Sequence, residues 1–344
     1  MSAEAVDEFI EQCYSSNQPR KRQRALCSYA DAFESLKEKG YAVIENVVPA
    51  DLCVSVHSRI KTFLAEAGVE TGASAVKMGS YPNSRGIVQH LEGGQMQAIS
   101  DVRMSAGVED VFASMYGTND LMCSFDGFCW MPRNYIASSR SWLHVDQSHR
   151  KPGRRCIQAY VNVTDSCDAA SGSLYVVPGS HKKHFEFAER PACAANGKDW
   201  YKFNDEELAL LGAEPVRVFG GVGSMVLWDS RTVHSNIGPL ASVAEAERRE
   251  RCVVYVCMQP RAWCSAANLA KKQRAFAEYR LTTHWAASKI ELFPKTWQTY
   301  GKPITVRTPA RTRVETQRMR ELAGVVPMTS APIRVREAQL SFVH

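Results

Sequence analysis

His144 and Asp146 stand two positions apart in the run Trp142-Leu143-His144-Val145-Asp146-Gln147. On a strand, residues i and i+2 project from one face, so an imidazole and a carboxylate would stand side by side while Val145 faces the other way. A second imidazole from a neighbouring strand would complete a two-histidine, one-carboxylate facial triad. Such a triad occupies three corners of an Fe(II) octahedron and leaves three for substrate and dioxygen. His234, at the end of the β-like run that begins at Val226, is the candidate third ligand. A lone His-x-Asp pair is also what an exposed strand or a hydrogen-bonded couple looks like, so its neighbours must decide.

Downstream, Arg248, Arg249 and Arg251 precede the apolar run Cys252-Val253-Val254-Tyr255-Val256. Arg251 directly opens that run and would sit at a barrel mouth, where a guanidinium grips a carboxylate through two parallel hydrogen bonds. That suits a dicarboxylate co-substrate chelating iron at its other end. Arg248 and Arg249 read as partners of Glu245, Glu247 and Glu250 on a solvated loop. Arg231, Lys77, Arg85, His90 and Gln147 would form a polar, basic rim suited to a small carboxylate-bearing metabolite, with pairing of Arg231 to Asp229 as the competing reading. His181 and His184 make H-x-x-H, but the intervening Lys182 and Lys183 disfavour a cation, so a solvated loop is expected there and at His149. No G-x-G-x-x-G, P-loop or nucleophile signature is present.

Positioning a triad of this kind needs a rigid scaffold, and the chain carries one. Short β-rich runs at Leu121 to Met131, Trp142 to Asp146, Cys156 to Val163, Leu174 to Val177, Val216 to Phe219, Ser224 to Trp228 and Cys252 to Met258 read as an antiparallel barrel or sandwich. Before them, helix is expected over residues 5 to 40, after Pro49 and from Val102 to Tyr116, with a strand at Tyr41 to Val48 and a long surface excursion at 70 to 100. After them, helix returns at Leu269 to Tyr279, followed by a Pro-rich extended tail from Gly301.

The 344 residues have 45% hydrophobic and 23% charged residues, an ordinary globular composition. The net charge of +6 is spread over mixed-sign stretches and does not argue for a nucleic-acid surface. Eleven cysteines without a C-x-x-C pair exclude a zinc ribbon or thioredoxin motif, and Cys123, Cys129, Cys156, Cys252 and Cys257 read as buried thiols. With no signal peptide and no long apolar run, a cytoplasmic protein without membrane spans is expected, as a monomer or weak homodimer.

Several separated pieces together resemble the phytanoyl-CoA dioxygenase-like branch of the Fe(II)- and 2-oxoglutarate-dependent oxygenases. They are Gly40 to Ile44, His144-x-Asp146 with the strand Gln158 to Val163, the turn Gly172-Ser173-Leu174 to His181, His234 in a W-x-S-R-x-V-H-S context, and the strand from Arg251. The resemblance covers roughly residues 38 to 262. It implies a mainly β fold with flanking helices, a double-stranded β-helix of the jelly-roll or cupin type. One domain over 1–344 is expected, with a helical part to about 120, the core at about 121–262 and a helical or extended part beyond. The resemblance further implies iron on His144, Asp146 and His234, and 2-oxoglutarate on Arg251 with Ser173 and Tyr160 beside it. Arg231, Gln147 and Gln158 would face a small-molecule substrate, dioxygen would be the oxidant and ascorbate an auxiliary reductant. Arg251 follows His234 by 17 positions, a longer interval than in the family, which keeps Arg248 as a rival and points to a longer loop after Pro239. Hydroxylation of an unactivated C–H bond in specialised metabolism is the default reaction, with desaturation or radical cyclisation as variants. A non-catalytic jelly-roll binding protein is the alternative.

Overall fold

The β-branched and aromatic runs in the middle of the chain pair into two facing antiparallel sheets. A computed structural model describes residues 29–67, 85–89, 91–135, 142–293, 298–299, 302–303, 309–329 and 340–341. The strands that build the core are β1 (Tyr41–Ile44), β2 (Ile87–Val88), β3 (Leu121–Cys123), β4 (Phe128–Met131), β5 (His144–Val145), β6 (Ile157–Asn162), β7 (Ser173–Val176), β8 (Tyr201–Lys202), β9 (Val216–Val218), β10 (Met225–Asp229), β11 (His234–Ile237), β12 (Arg251–Val256) and β13 (Met258–Pro260). The larger sheet runs β1-β10-β6-β12-β4-β2 and the smaller β8-β5-β11-β7-β9, while β3 and β13 form a separate ladder. This is the double-stranded β-helix that the sequence implies.

Strands β6, β10 and β12 are buried along almost their whole length because both of their faces are covered. Ile157, Ala159 and Val161 of β6, with Met225, Leu227, Cys252 and Val254, turn outward against helices. Helix Ala50–Glu66 lays Val56, Ile60 and Phe63 on that face, and the Phe63 and Phe128 rings meet edge-on at 6.0 Å. The alternate residues Tyr160, Val226, Trp228 and Val253 face the smaller sheet with Leu174 and Val176, and Tyr255 packs beside them. Period-two alternation therefore decides which side chains line the interior.

Several boundaries differ from the expectations. His234 does not end the β10 run. It opens a strand of its own after a turn in which Thr232 N–H donates to Asp229 O at 2.8 Å. The run Leu121 to Met131 breaks at Gly127, where an added Cβ would lie 1.8 Å from Val88 O. Helix Val102 to Tyr116 is two helices, Gln97–Arg103 and Ala106–Tyr116. The C-terminal stretch contains helix Gln317–Leu322. Arg318 pairs with Glu109 and Glu321 there, and Arg313 lies over the Phe276 and Tyr279 rings at 3.8 and 3.9 Å. Residues 1–28, most of the helix expected over 5 to 40, and residues 68–84 lie outside the described residues.

His149, His181 and His184 are not solvated; all three are buried. His149 stacks on His184 with ring centroids 4.5 Å apart, inside a cage of Phe187, Tyr201 and Phe203. Lys182 and Lys183 reach outward instead, to Glu38 and to the Leu210 and Leu211 carbonyls. Burial pushes the His149 imidazole down to about 3 and that of His184 down to about 4. The unfolded chain binds protons near pH 6.5, so stability present above that pH is lost progressively as the pH falls towards 4. Urea midpoints measured between neutral pH and pH 5 should follow that limb, and His149→Phe, which keeps a ring in the cage, should make it shallower. An unchanged slope would contradict this assignment.

Candidate metal centre

His144 opens β5 and His234 opens β11, and the two are direct partners across the antiparallel ladder. Their ring centroids lie 4.4 Å apart. Asp146 follows β5, its amide N–H donating to Ser230 O at 3.1 Å. Its Oδ1 is 3.6 Å from His144 Nε2 and its Oδ2 3.3 Å from His234 Nε2. One ligand atom from each residue lies within 4.8 Å of the others, and among the described residues no other His, Cys, Asp and Glu side chains form such a group.

The backbone sets the tautomer of both rings. His144 Nδ1 is 2.8 Å from Trp142 O, and His234 Nδ1 is 2.8 Å from Thr232 O. A carbonyl only accepts, so each Nδ1 carries a proton and each ring turns its Nε2 towards Asp146. Three electron-rich atoms thus converge in a buried place, an arrangement that a cation relieves. Burial, and then the charge of His234, push the His144 imidazole down to about 4. Burial alone would raise the Asp146 carboxyl, but His144 and His234 outweigh it and hold the group well below the usual carboxylate range. Gln158 Nε2 donates to Asp146 Oδ2 at 3.0 Å, which fixes the carboxylate's rotation.

Two residues expected to face substrate are committed elsewhere. Arg231 grips the fully buried Asp229 through Nε at 2.9 Å and Nη2 at 2.7 Å, while Arg154 Nε donates to the same carboxylate at 3.0 Å. Burial opposes ionisation of Asp229, but the Arg231 guanidinium, helped by Arg154, holds its carboxyl down at about 2. Gln147 donates to the Lys151 and Gly153 carbonyls and accepts from Ser230 Oγ and the Arg155 N–H. Both residues therefore hold the turn and loop that carry the triad. Lys77 and His90 lie outside the described residues, and Arg85 lies 4.3 Å over the Trp142 ring.

Arg251 is fully buried at the start of β12, opposite Met131. Its Nη1 meets Cys129 Sγ at 3.2 Å and its guanidinium lies 5.0 Å over the Tyr160 ring, yet Nε and Nη2 have no hydrogen-bond partner among the described residues. Ser173 Oγ is buried and unpartnered in the same sense, and Gly172 beside it touches the arginine so closely that an added Cβ would lie 3.0 Å from Arg251 Cδ. An uncompensated buried guanidinium costs several kcal/mol, which an anion recovers. Arg248 is spent on the Val243 and Ala241 carbonyls, and Arg249 pairs with Asp168. Glu250, expected to take one of these arginines, takes His57 and Lys61.

The interior holds further polar and aromatic groups that no sequence motif marks. Asn236 follows His234 by two on β11 and donates to Tyr255 Oη at 2.7 Å, and its carbonyl accepts the Trp142 indole N–H at 2.8 Å. Alternation along β11 and β12 would have found Asn236 and Tyr255. Trp142 stacks on His144 at 4.7 Å and Trp200 approaches the same ring at 5.7 Å. Nothing local in the sequence marks Trp200.

Residues 36–236 match the phytanoyl-CoA dioxygenase (PhyH) family. The chain is 29% identical over 199 residues to Ava biosynthesis cluster protein O of Aspergillus versicolor, covering 55% of this chain and 62% of that protein. It thus spans less than two thirds of that relative's length. Among solved structures it is similar to a provisionally assigned oxidoreductase of Salmonella typhimurium LT2, with a TM-score of 0.58, 14% identity, and 85% and 82% of the two chains covered. It is also similar to the GlcNAc Inducible Gene 2 protein of Candida albicans, with a TM-score of 0.53, 12% identity, and 72% and 66% covered. These likenesses show the shared fold.

Replacing Asp229 by Asn would leave Arg231 and Arg154 around a neutral group in a dry site. A loss of about 3–5 kcal/mol in unfolding free energy is expected. Urea denaturation of Asp229→Asn measures it, and a midpoint equal to the parent's would show that the turn does not depend on this charge.

Proposed function

The chain belongs to the phytanoyl-CoA dioxygenase family of Fe(II)- and 2-oxoglutarate-dependent oxygenases, and on that footing we propose that it oxidises an unactivated C–H bond of a small metabolite, releasing succinate and carbon dioxide. The observation that carries this reading is the convergence of His144 Nε2, His234 Nε2 and the Asp146 carboxylate, with both Nδ1 atoms tied to backbone carbonyls. That donor set is the one ferrous iron takes in non-haem oxygenases.

Bound iron with 2-oxoglutarate and dioxygen supplies the oxidising power; the protein supplies placement. His144, Asp146 and His234 would hold the metal. Arg251 would hold the distal carboxylate of 2-oxoglutarate, with Ser173 and Tyr160 beside it, which would answer the unpartnered Nε and Nη2. Gln158 keeps Asp146 from turning away. Asn236 and Tyr255 brace Trp142, which packs on His144 and limits water at that ligand. Hydroxylation is the default outcome, and a role in specialised metabolism follows the relative's place in a biosynthesis cluster. A carboxylate on the substrate loses much of its expected support, because Arg231 is spent on Asp229 and Gln147 on backbone groups and Ser230 Oγ. The buried thiols, including Cys156 and Cys257, which share a hydrogen bond between sulfurs 3.7 Å apart, suit a reducing, cytoplasmic setting. Among the described residues, no helix is long and apolar enough to cross a membrane.

Anaerobic titration of the full chain with Fe(II) and 2-oxoglutarate should produce a metal-to-ligand absorption band. His144→Ala should abolish the band and succinate release while leaving the circular dichroism intact. Arg251→Gln should raise the apparent Kd for 2-oxoglutarate roughly 100-fold, the loss of a charge-assisted, bidentate pair. Absence of the band from folded parent protein would leave the jelly-roll as a binding shell without this chemistry.

A further inference from the structure

Trp228 borders the metal centre from the larger sheet. It stands opposite Gln158 in the β10·β6 ladder, and Gln158 is the residue that donates to Asp146. The centre of its ring lies 5.4 Å from that of His234, tilted by 51°. Trp228 is only 3% exposed, and its Nε1–H, the one donor an indole has, is buried without a hydrogen-bond partner among the described residues.

The backbone gives this ring no means of carrying its donor to water. Trp228 pairs with Tyr41 on one side and Gln158 on the other. The next residue is Asp229, whose carboxylate binds two guanidiniums and whose N–H donates to Gly40 O at 2.9 Å. A buried N–H that lacks an acceptor is a net cost to the empty protein, and a bound acceptor removes it.

Strand register tells where along the interior the donor stands. Tyr160 is level with Val226, and Gln158 is level with Trp228, two residues nearer Asp146. Tyr160 links the two ends of the row: its ring is 5.8 Å from that of Trp228, and the Arg251 guanidinium lies 5.0 Å over it. The order along the interior is therefore Arg251, Tyr160, Trp228, His234. A co-substrate with its distal carboxylate on Arg251 and its keto-acid end on the metal would meet Trp228 at the keto-acid end. The amides of Gln158 and Asn236 are committed there to Asp146 and Tyr255, which leaves the indole N–H as an uncommitted donor. A carboxylate that gives one oxygen to a metal keeps a second, an anionic acceptor.

We propose that Trp228 is a co-substrate-binding residue whose indole N–H donates to the metal-proximal carboxylate of 2-oxoglutarate. This rests on the oxygenase reading above and adds a second anchor, at the opposite end of the co-substrate from Arg251.

The test uses the full chain with benzothienylalanine at position 228, which keeps the bicyclic ring and puts sulfur in place of N–H, and separately Trp228→Phe. Anaerobic titration with Fe(II) and 2-oxoglutarate reads the Kd and the wavelength of the metal-to-ligand band. Both replacements should raise the Kd about tenfold, the loss of one hydrogen bond to a charged group. Both should move the band to shorter wavelength, because that hydrogen bond lowers the keto-acid orbital that receives the electron. Arg251→Gln should raise the Kd and leave the wavelength unchanged. Without ligand, the benzothienylalanine protein should match or exceed the parent's urea midpoint, since the N–H it lacks has no partner there. An unchanged Kd would show an idle donor, a raised Kd with an unmoved band would place the donor on another part of the co-substrate, and a lower urea midpoint would give it a partner within the protein. Each of these overturns the assignment while the parent's own band leaves the oxygenase reading standing, whereas a folded parent without the band overturns both.

Discussion

The pairing of His234 directly opposite His144 across two antiparallel strands is the constraint on which the rest of the site depends. A shift of one residue in that register would turn every side chain of β11 to the other face, sending His234 and Asn236 outward and Ser235 inward. The strand is held in place by β7 on its other side, through Val176 to Ser173. It is also held by the turn at Asp229, whose buried carboxylate binds two guanidiniums. Burying an ion pair gains little net stability but penalises any arrangement that separates the charges. Here it fixes where Thr232 O lies, hence the tautomer of His234 and the direction of its Nε2.

The same interior tolerates an unusual load of polar groups. Arg251, Ser173, Asn236, Tyr160 and Tyr255 all point between the sheets, whereas the outward faces of β6, β10 and β12 are apolar and covered by helices. The division follows from alternation along each strand. The helices bury the apolar surface that stabilises the fold, which frees the interior face to carry chemistry. Arg251 shows the cost of that freedom: a buried cation whose surroundings offer a sulfur and an aromatic ring but leave two donors unpartnered among the described residues. A ligand carboxylate is the natural complement.

Segments far apart in the chain close the site. Gln259, on β13, orders the 286–288 backbone with a single side-chain oxygen, and Asp199 draws Lys151 and Lys289 together. Arg313 and Arg318 fasten the C-terminal stretch to the N-terminal helices through Gln95 and Glu109. The part of the chain beyond the jelly-roll is thereby tied to elements that precede it.

Much of this was legible in the residue order. Two-residue spacing placed His144 and Asp146 on one face, the β-branched runs announced the sheets, and an arginine at the head of an apolar strand marked Arg251. These features are local, because side-chain direction along a strand has a fixed period whatever the strand packs against. Which of the competing partners the other arginines would take was not legible: Asp229 claims Arg231 and loop carbonyls claim Arg248, while Arg251 keeps two donors unpartnered among the described residues. The same holds for His149 and His184, whose lysine-rich neighbourhood reads as solvent although three aromatic rings and the His184 imidazole surround His149. Trp200 gave no signal at all, since it meets the centre through a contact spanning 56 positions from His144. The sequence by itself determined the period, the ligand types and the fold class. Burial and partnership were decided by the tertiary structure alone, because they depend on which distant segment arrives to cover each group.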